Sequence, residues 1–201
     1  MTDDIVVIFA EGPTEIEFYK AVVAKANKLS SVSYSCQIEY INMKGIGQYK
    51  TKALKKFKHL KNIKPNSKFN LFLCIDNDVF QNPTKSPFDK DTLEKNLKKA
   101  GAANVKYIIA NQSIEDWFLS DLEGVLDYLK LPKTTKRPGG NGQEALKKLF
   151  KKKNKLYVKG TKAEGFIERL DLLKIIRIQC KSFEPLCKSL GFECKKVCGM
   201  Y

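Results

Sequence analysis

Apolar positions follow two rhythms along this chain. Ile5–Ala10 reads IVVIFA, six apolar residues with no polar break, the pattern of a strand buried on both faces of a parallel sheet. From Thr14 to Leu29 the apolar positions fall at helical spacing instead. Phe18, Val22, Val23 and Ala26 share one face, and Pro13 suits the first turn. The alternation continues. Ser35–Ile41 reads as a strand, and Lys50–His59 as a basic amphipathic helix with Ala53, Leu54, Phe57 and Leu60 inward. Phe69–Ile75 is an apolar strand ending at Asp76, and Asp91–Ala100 a helix closed by Gly101 at its C′ position. Val105–Ala110 is a fourth strand. Ile114–Leu129 is predicted as one helix, with Ser113 as N-cap and Asp116 at N3.

Strand and helix alternating in this way predict an α/β, Rossmannoid parallel sheet of about four strands flanked by helices, with right-handed crossovers. We place this unit at residues 1–131. Residues 132–201 read differently: a turn-rich loop, Pro132–Gly142, then helical patterns at Gln143–Lys153, Ala163–Leu170, Leu172–Gln179 and Phe183–Leu190. They form a basic, helical C-terminal extension expected to pack on the first unit. There is no internal repeat.

Composition changes this picture in three ways. A hydrophobic share of 43% suffices for a core, and no apolar run approaches the roughly 20 residues that span a bilayer. The opening MTDDIVVIFAEG is acidic and lacks the basic start of a secretory signal, so a cytoplasmic location is expected, with no membrane partner. The 37 Lys and Arg against 22 Asp and Glu give a net charge of +15. That excess suits a polyanion such as DNA or RNA, and also a plain solvated surface. Six cysteines include Cys36 and Cys74 in strand-like runs, and Cys180, Cys187, Cys194 and Cys198 near the C-terminus. The last four lack the paired C-x2-C of a zinc knuckle, which favours reduced thiols over a tetrahedral metal site.

The chemistry gathers at strand ends. Ligands of open α/β sheets bind beyond the carboxyl ends of the strands. There the chain places Glu11, then Asp76 with Asn77 and Asp78, then Ser113, Glu115 and Asp116. In an extended stretch Asp76 and Asp78 would point to the same side, and Glu15 falls in the first turn of the following helix. Carboxylates this close repel one another and raise each other's pKa. Mg2+ removes the conflict, and nucleases often use two such ions. Individually these residues also read as turn formers, caps or first-turn charges.

Two motifs carry a resemblance. Ile8-Phe9-Ala10-Glu11-Gly12 and Leu73-Cys74-Ile75-Asp76-Asn77-Asp78 resemble the paired signatures of the Toprim domain, the metal-binding α/β unit of topoisomerases, bacterial primases and several nucleases. Glu11-Gly12-Pro13-Thr14-Glu15, and Ser113-Ile114-Glu115-Asp116-Trp117-Phe118-Leu119, are similar to the OLD-type and small RloB-like Toprim nucleases. The resemblance covers about residues 4–130. It implies Glu11, Glu15, Asp76, Asp78 and Glu115 as ligands of Mg2+ or Mn2+, one ion or two. The resemblance makes Glu11 either a metal ligand or the general acid/base, implies that Asp76 is catalytic, and has Ser113 position Glu115 or a phosphate. A C-terminal lysine stabilises transition-state charge; Lys159 is the candidate, with Lys162 in reserve. Lys136 and Arg137 are candidates to grip a phosphate backbone.

The implied function is a metal-dependent endonuclease. By resemblance it acts as the effector of a bacterial anti-phage system with an ATPase partner; a homo-oligomer is compatible with this. No G-x-x-x-x-G-K-[ST] occurs here, so the ATPase would be a separate chain. The competing reading is a non-catalytic nucleic-acid-binding or assembly subunit with a structural metal site.

Overall fold

The computed structural model describes residues 4–29, 36–81, 86–159 and 165–192. The four strands are β1 (Asp4–Ala10), β2 (Gln37–Asn42), β3 (Lys68–Asp76) and β4 (Asn104–Ala110). All pair in parallel, in the order β2-β1-β3-β4. Helices flank this sheet on both sides, so the fold is α/β and Rossmann-like.

Side-chain parity explains why β1 carries no polar residue after Asp4. Val6, Ile8 and Ala10 join one core and Ile5, Val7 and Phe9 the other. Period-two alternation sends neighbours to opposite faces, and both faces are covered. Fully burying each such side chain contributes roughly 1.5–3 kcal/mol. One face is covered by α2 (Leu54–Ile63) and α3 (Lys90–Lys99), through Phe57, Leu93 and Leu97. The other is covered by α1 (Pro13–Leu29), α4 (Ile114–Leu119), α5 (Leu122–Leu129) and α6 (Gly142–Lys151). It also takes α7 (Phe166–Arg169), α8 (Leu172–Ile178) and α9 (Cys180–Ser189), and this core runs without a break from Val6 to Phe192. Phe18 and Trp117 both meet Phe183 there, at centroid distances of 6.2 and 5.1 Å. The C-terminal helices thus share one core with α1 and β1.

Several boundaries differ from the sequence reading. Residues 114–129 form two helices, α4 and α5, with a break at Ser120 and Asp121. Asp121 leaves helical geometry because its carboxylate has other partners: it accepts from the Asp171 N–H at 2.7 Å and from Lys174 Nζ at 3.3 Å. Gly124 then lies against the α7 end, where an added Cβ would come within 2.7 Å of the Arg169 carbonyl oxygen. The basic helix opens as a π-helical turn, Tyr49–Ala53, before α2, and it runs on to Ile63. The Tyr49 hydroxyl lies between the carbonyl oxygens of Phe9 and Cys74, at 3.1 and 2.6 Å. The Gly101 stop is a full Schellman closure: Ala102 N–H donates to Leu97 O and Gly101 N–H to Lys98 O. Cys74, Cys180 and Cys187 are buried thiols, while Cys194 and Cys198 lie outside the described residues. Among the described residues no helix is long and apolar enough to cross a membrane.

Candidate functional site

The strand order reverses between β1 and β3: β2 lies beyond one and β4 beyond the other. At such a switch point the connections leave on opposite faces and open a crevice at the carboxyl ends. Glu11 follows β1 and Asp76 ends β3, so both arrive at that crevice. The Asp76 N–H points at Glu11 Oε1, 3.4 Å away. Gly12 and Pro13 turn the chain into α1, which carries Glu15 in its first turn. From the β4 side, α4 brings in Glu115, and the Ile114 N–H donates to Asp76 Oδ1 at 2.9 Å.

The far end of the chain completes the cluster. Residues 155–158 have no regular secondary structure and lead into a turn at Lys159, with Leu156 and Val158 exposed and Tyr157 buried. Lys159 Nζ donates to Asp76 Oδ2 at 2.5 Å. Tyr157 donates its hydroxyl to Glu115 Oε1 at 3.0 Å. A cleft of about 510 Å³ opens here, lined by Glu11, Gly12, Glu15, Asn42, Lys44 and Lys159 among others.

The electrostatics follow from burial. Burial lifts the Glu11 carboxyl to about 7, with Lys159 opposing and Glu15 adding to the rise. Burial likewise lifts Glu15 to about 7, with Asp76 and Glu115 contributing. Asp76 is raised to about 7 by burial, against the pull of Lys159. Burial works to lower the Lys159 ammonium, but Asp76, Glu11 and Glu115 outweigh it and hold the group firmly protonated. Tyr157 is pushed up by burial and by Glu115, so it stays a phenol and a donor. Glu15 Oε2 and Glu115 Oε2 are buried with no hydrogen-bond partner among the described residues.

Not every sequence candidate joins this group. Asp78 does not project beside Asp76 as strand alternation implied. The chain enters a 3-10 turn, Asp78–Phe80, and Asp78 is exposed, accepting from the Val79 N–H at 2.7 Å. Ser113 is buried at the N-cap position, but its hydroxyl donates to Asp116 Oδ2 at 3.0 Å rather than capping a backbone N–H. Arg137 donates to Asp116 Oδ1 at 2.6 Å, tying the 132–141 loop to α4. Lys136 is exposed, and Lys162 lies outside the described residues. Sequence reasoning passed over Tyr157, whose only signal is its place two residues before Lys159. It also passed over Lys44, an exposed cleft residue with φ of 59°.

Could the site hold a divalent cation? The donors are hard carboxylate oxygens, two of them orphaned, which is the chemistry Mg2+ and Mn2+ take. Among the described residues, however, no three Asp, Glu, His or Cys side chains are already drawn together as a metal-holding group. The Lys159 ammonium is the cation the cluster has in hand.

The chain belongs to a domain family described as a domain of unknown function, DUF4276, whose model matches residues 10–191. No curated protein and no solved structure matches it.

Proposed function

We propose that this DUF4276 chain is a metal-dependent phosphodiesterase that hydrolyses DNA or RNA in the cleft between β1 and β3. The observation that carries the reading is the pair of buried oxygens without a hydrogen-bond partner among the described residues, Glu15 Oε2 and Glu115 Oε2, beside Asp76. Leaving such acceptors buried without donors costs about 1–3 kcal/mol each or more. A hard divalent cation satisfies them. Glu11, Glu15, Asp76 and Glu115 would hold Mg2+ or Mn2+; when bound, the ion supplies charge neutralisation and Lewis acidity at a phosphoryl oxygen. The resemblance to Toprim nucleases points the same way.

The residues themselves divide the remaining work. Glu11 borders the cleft with a carboxyl near 7, the range in which a group can both take and return a proton at neutral pH. Lys159 is a firmly protonated donor at the same cleft, suited to negative charge developing on a phosphoryl group. Tyr157 fixes Glu115 through the hydrogen bond to Oε1 and leaves Oε2 available. The net charge of +15 would draw the polyanion in.

One observation favours a second reading, a binding subunit without catalysis. The Lys159–Asp76 pair already offsets part of the buried charge with no metal. Incubation with plasmid, single-stranded DNA and total tRNA in Mg2+, Mn2+ or EDTA separates the two. The hydrolase reading expects metal-dependent cleavage that disappears in both Glu11→Ala and Asp76→Ala. Undiminished cleavage in both variants removes the assignment. Binding without cleavage, unaltered by EDTA, favours the second reading. The ATPase partner and the anti-phage role rest on the resemblance. Phage plating on cells carrying wild type or Asp76→Ala, with and without a neighbouring ATPase gene, tests them.

A further inference from the structure

Between Tyr40 and Ile75 the chain has nine lysines and no Asp or Glu. Three of those lysines have partners: Lys61 donates to the Ala100 carbonyl, Lys64 pairs with Glu39, and Lys68 with Asp4. The side chains of Lys44, Lys50, Lys52, Lys55, Lys56 and Lys58 make no ion pair or hydrogen bond among the described residues. Helices elsewhere in the molecule behave differently. On α3, Lys98 pairs with Glu94 four residues back at 2.6 Å, and on α9 Lys188 does the same with Glu184. Such pairs support a solvated helix, whereas like charges at the same spacing oppose it. Lys52 and Lys56 stand four residues apart with no acid between them. A helix that is only decorated for solubility has no reason to keep that repulsion.

These side chains also share a place. Lys52, Lys55, Lys56 and His59 rim a groove of about 470 Å³ whose floor is Ile41 and Leu60. Ile41 is followed in β2 by Asn42, and Asn42 and Lys44 line the carboxylate cleft. The groove and the cleft thus draw on neighbouring residues at the end of β2. Lys44 stands there with a left-handed backbone, its N–H donating to Asn42 Oδ1 at 2.8 Å. A non-glycine residue held in that region marks a position where local strain is retained.

We propose that the face formed by Lys44, Lys52, Lys55, Lys56 and His59 is the track on which a nucleic-acid strand lies as it enters the cleft. Its phosphates meet the lysines and its sugar edge meets the apolar floor. Successive lysines along the face are separated by about one helical turn, ~5.4 Å, so several phosphates are contacted in a row. The proposal deepens the phosphodiesterase reading and takes its direction from it. It assigns backbone contact to the α2 face rather than to the lysine-rich Lys147–Lys155 segment.

The test is fluorescence anisotropy of short labelled oligonucleotides, single-stranded and duplex, in EDTA so that no cleavage intervenes. The variants are Lys52→Gln/Lys55→Gln/Lys56→Gln and, as a charge-matched control, Lys147→Gln/Lys151→Gln/Lys152→Gln. The α2 variant is expected to weaken binding about tenfold or more and to flatten the salt dependence by about 2 in slope. The control is expected to stay within about twofold. Replacing the same three α2 lysines by Arg should retain binding, which separates charge from fold. Equal loss in both Gln variants overturns the track, as does absence of binding by the wild type. Competition by polyglutamate as strong as by oligonucleotide at equal charge assigns the face to acidic protein instead and also overturns it. If the α2 effect persists while no metal produces cleavage, the track stands and the hydrolase reading falls.

Discussion

Two buried-acid regions of this molecule look alike in sequence and differ in their bonding. Asp121, at the break between α4 and α5, is 3% exposed and fully engaged, by the Asp171 N–H and Lys174 Nζ. Glu15 and Glu115 are 5% and 0% exposed, and each keeps an oxygen with no hydrogen-bond partner among the described residues. Burial is common to both, so burial alone does not mark a site. The difference is the missing partner. A satisfied carboxylate holds elements together, as Asp121 holds α8 to α5. An unsatisfied one is a standing cost to the fold that a proton, a water molecule or a ligand offsets.

The comparison is tested most severely by Asp76→Asn and Asp121→Asn. In the phosphodiesterase reading the first lowers metal-dependent cleavage by about 100-fold or more, and because Asp76 also accepts from the Ile114 N–H and from Lys159 it lowers the melting temperature as well. The second should leave cleavage per folded molecule intact and lower the melting temperature by about 5 °C, for a loss of roughly 1–3 kcal/mol. Equal activity loss in the two variants would erase the distinction.

Next in size is Glu15→Gln. Its carboxyl is raised from 4.5 to about 7 by burial, so in the metal-free protein the folded state binds the proton more tightly than the unfolded chain. The stability this group contributes is therefore highest below about pH 4.5, is lost as pH rises towards 7, and stays lost above. Glu11 and Asp76 act with the same sign. In EDTA the melting temperature should fall between about pH 5 and 7, less steeply in Glu15→Gln. That variant should be more stable than wild type at neutral pH by up to about 3 kcal/mol. Mg2+ should raise the melting temperature of wild type at neutral pH and do so much less for the variant. A flat pH profile in EDTA would break the argument.

Metal loading should release protons, because the carboxyls near 7 must ionise to act as ligands. Titration calorimetry in buffers of different ionisation enthalpy measures that release. The smallest expected effect is that of Tyr157→Phe. It removes the donor at Glu115 Oε1 and should cost about 1 kcal/mol of stability. Loss of that orienting bond should weaken metal affinity about tenfold. An unchanged affinity would make Tyr157 a packing residue only.

Much of the fold was open to reading because local pattern suffices for it. IVVIFA, short, β-branched and without a polar break, reads as a strand covered on both faces, and Gly101 stops α3 where a positive φ is needed. The break at Ser120 and Asp121 was not legible. Nothing in WFLSDLEG forbids a helix; Asp121 departs because Asp171 and Lys174 are 50 and 53 residues away in sequence and adjacent in space. Asp78 was misread for a related reason. Alternation holds only while a strand continues, and Asn77 N–H and Asp78 N–H turn instead to the carbonyls of Ala110 and Gln112.

By itself, then, the order of residues determined four parallel strands with helices between them, and it placed Glu11, Asp76 and Glu115 at or just beyond strand ends. These are local properties of period, capping and strand termination, and they travel with a short window of sequence. Which acids meet, and what meets them, was decided by the tertiary structure. The switch point between β1 and β3 joins Glu11 to Asp76 across 65 residues. The irregular segment at 155–159 returns Lys159 to Asp76 across 83. Among many lysines no window of sequence distinguishes that one. It is singled out by the buried carboxylate it reaches, and Glu15 and Glu115 by oxygens that no donor among the described residues reaches.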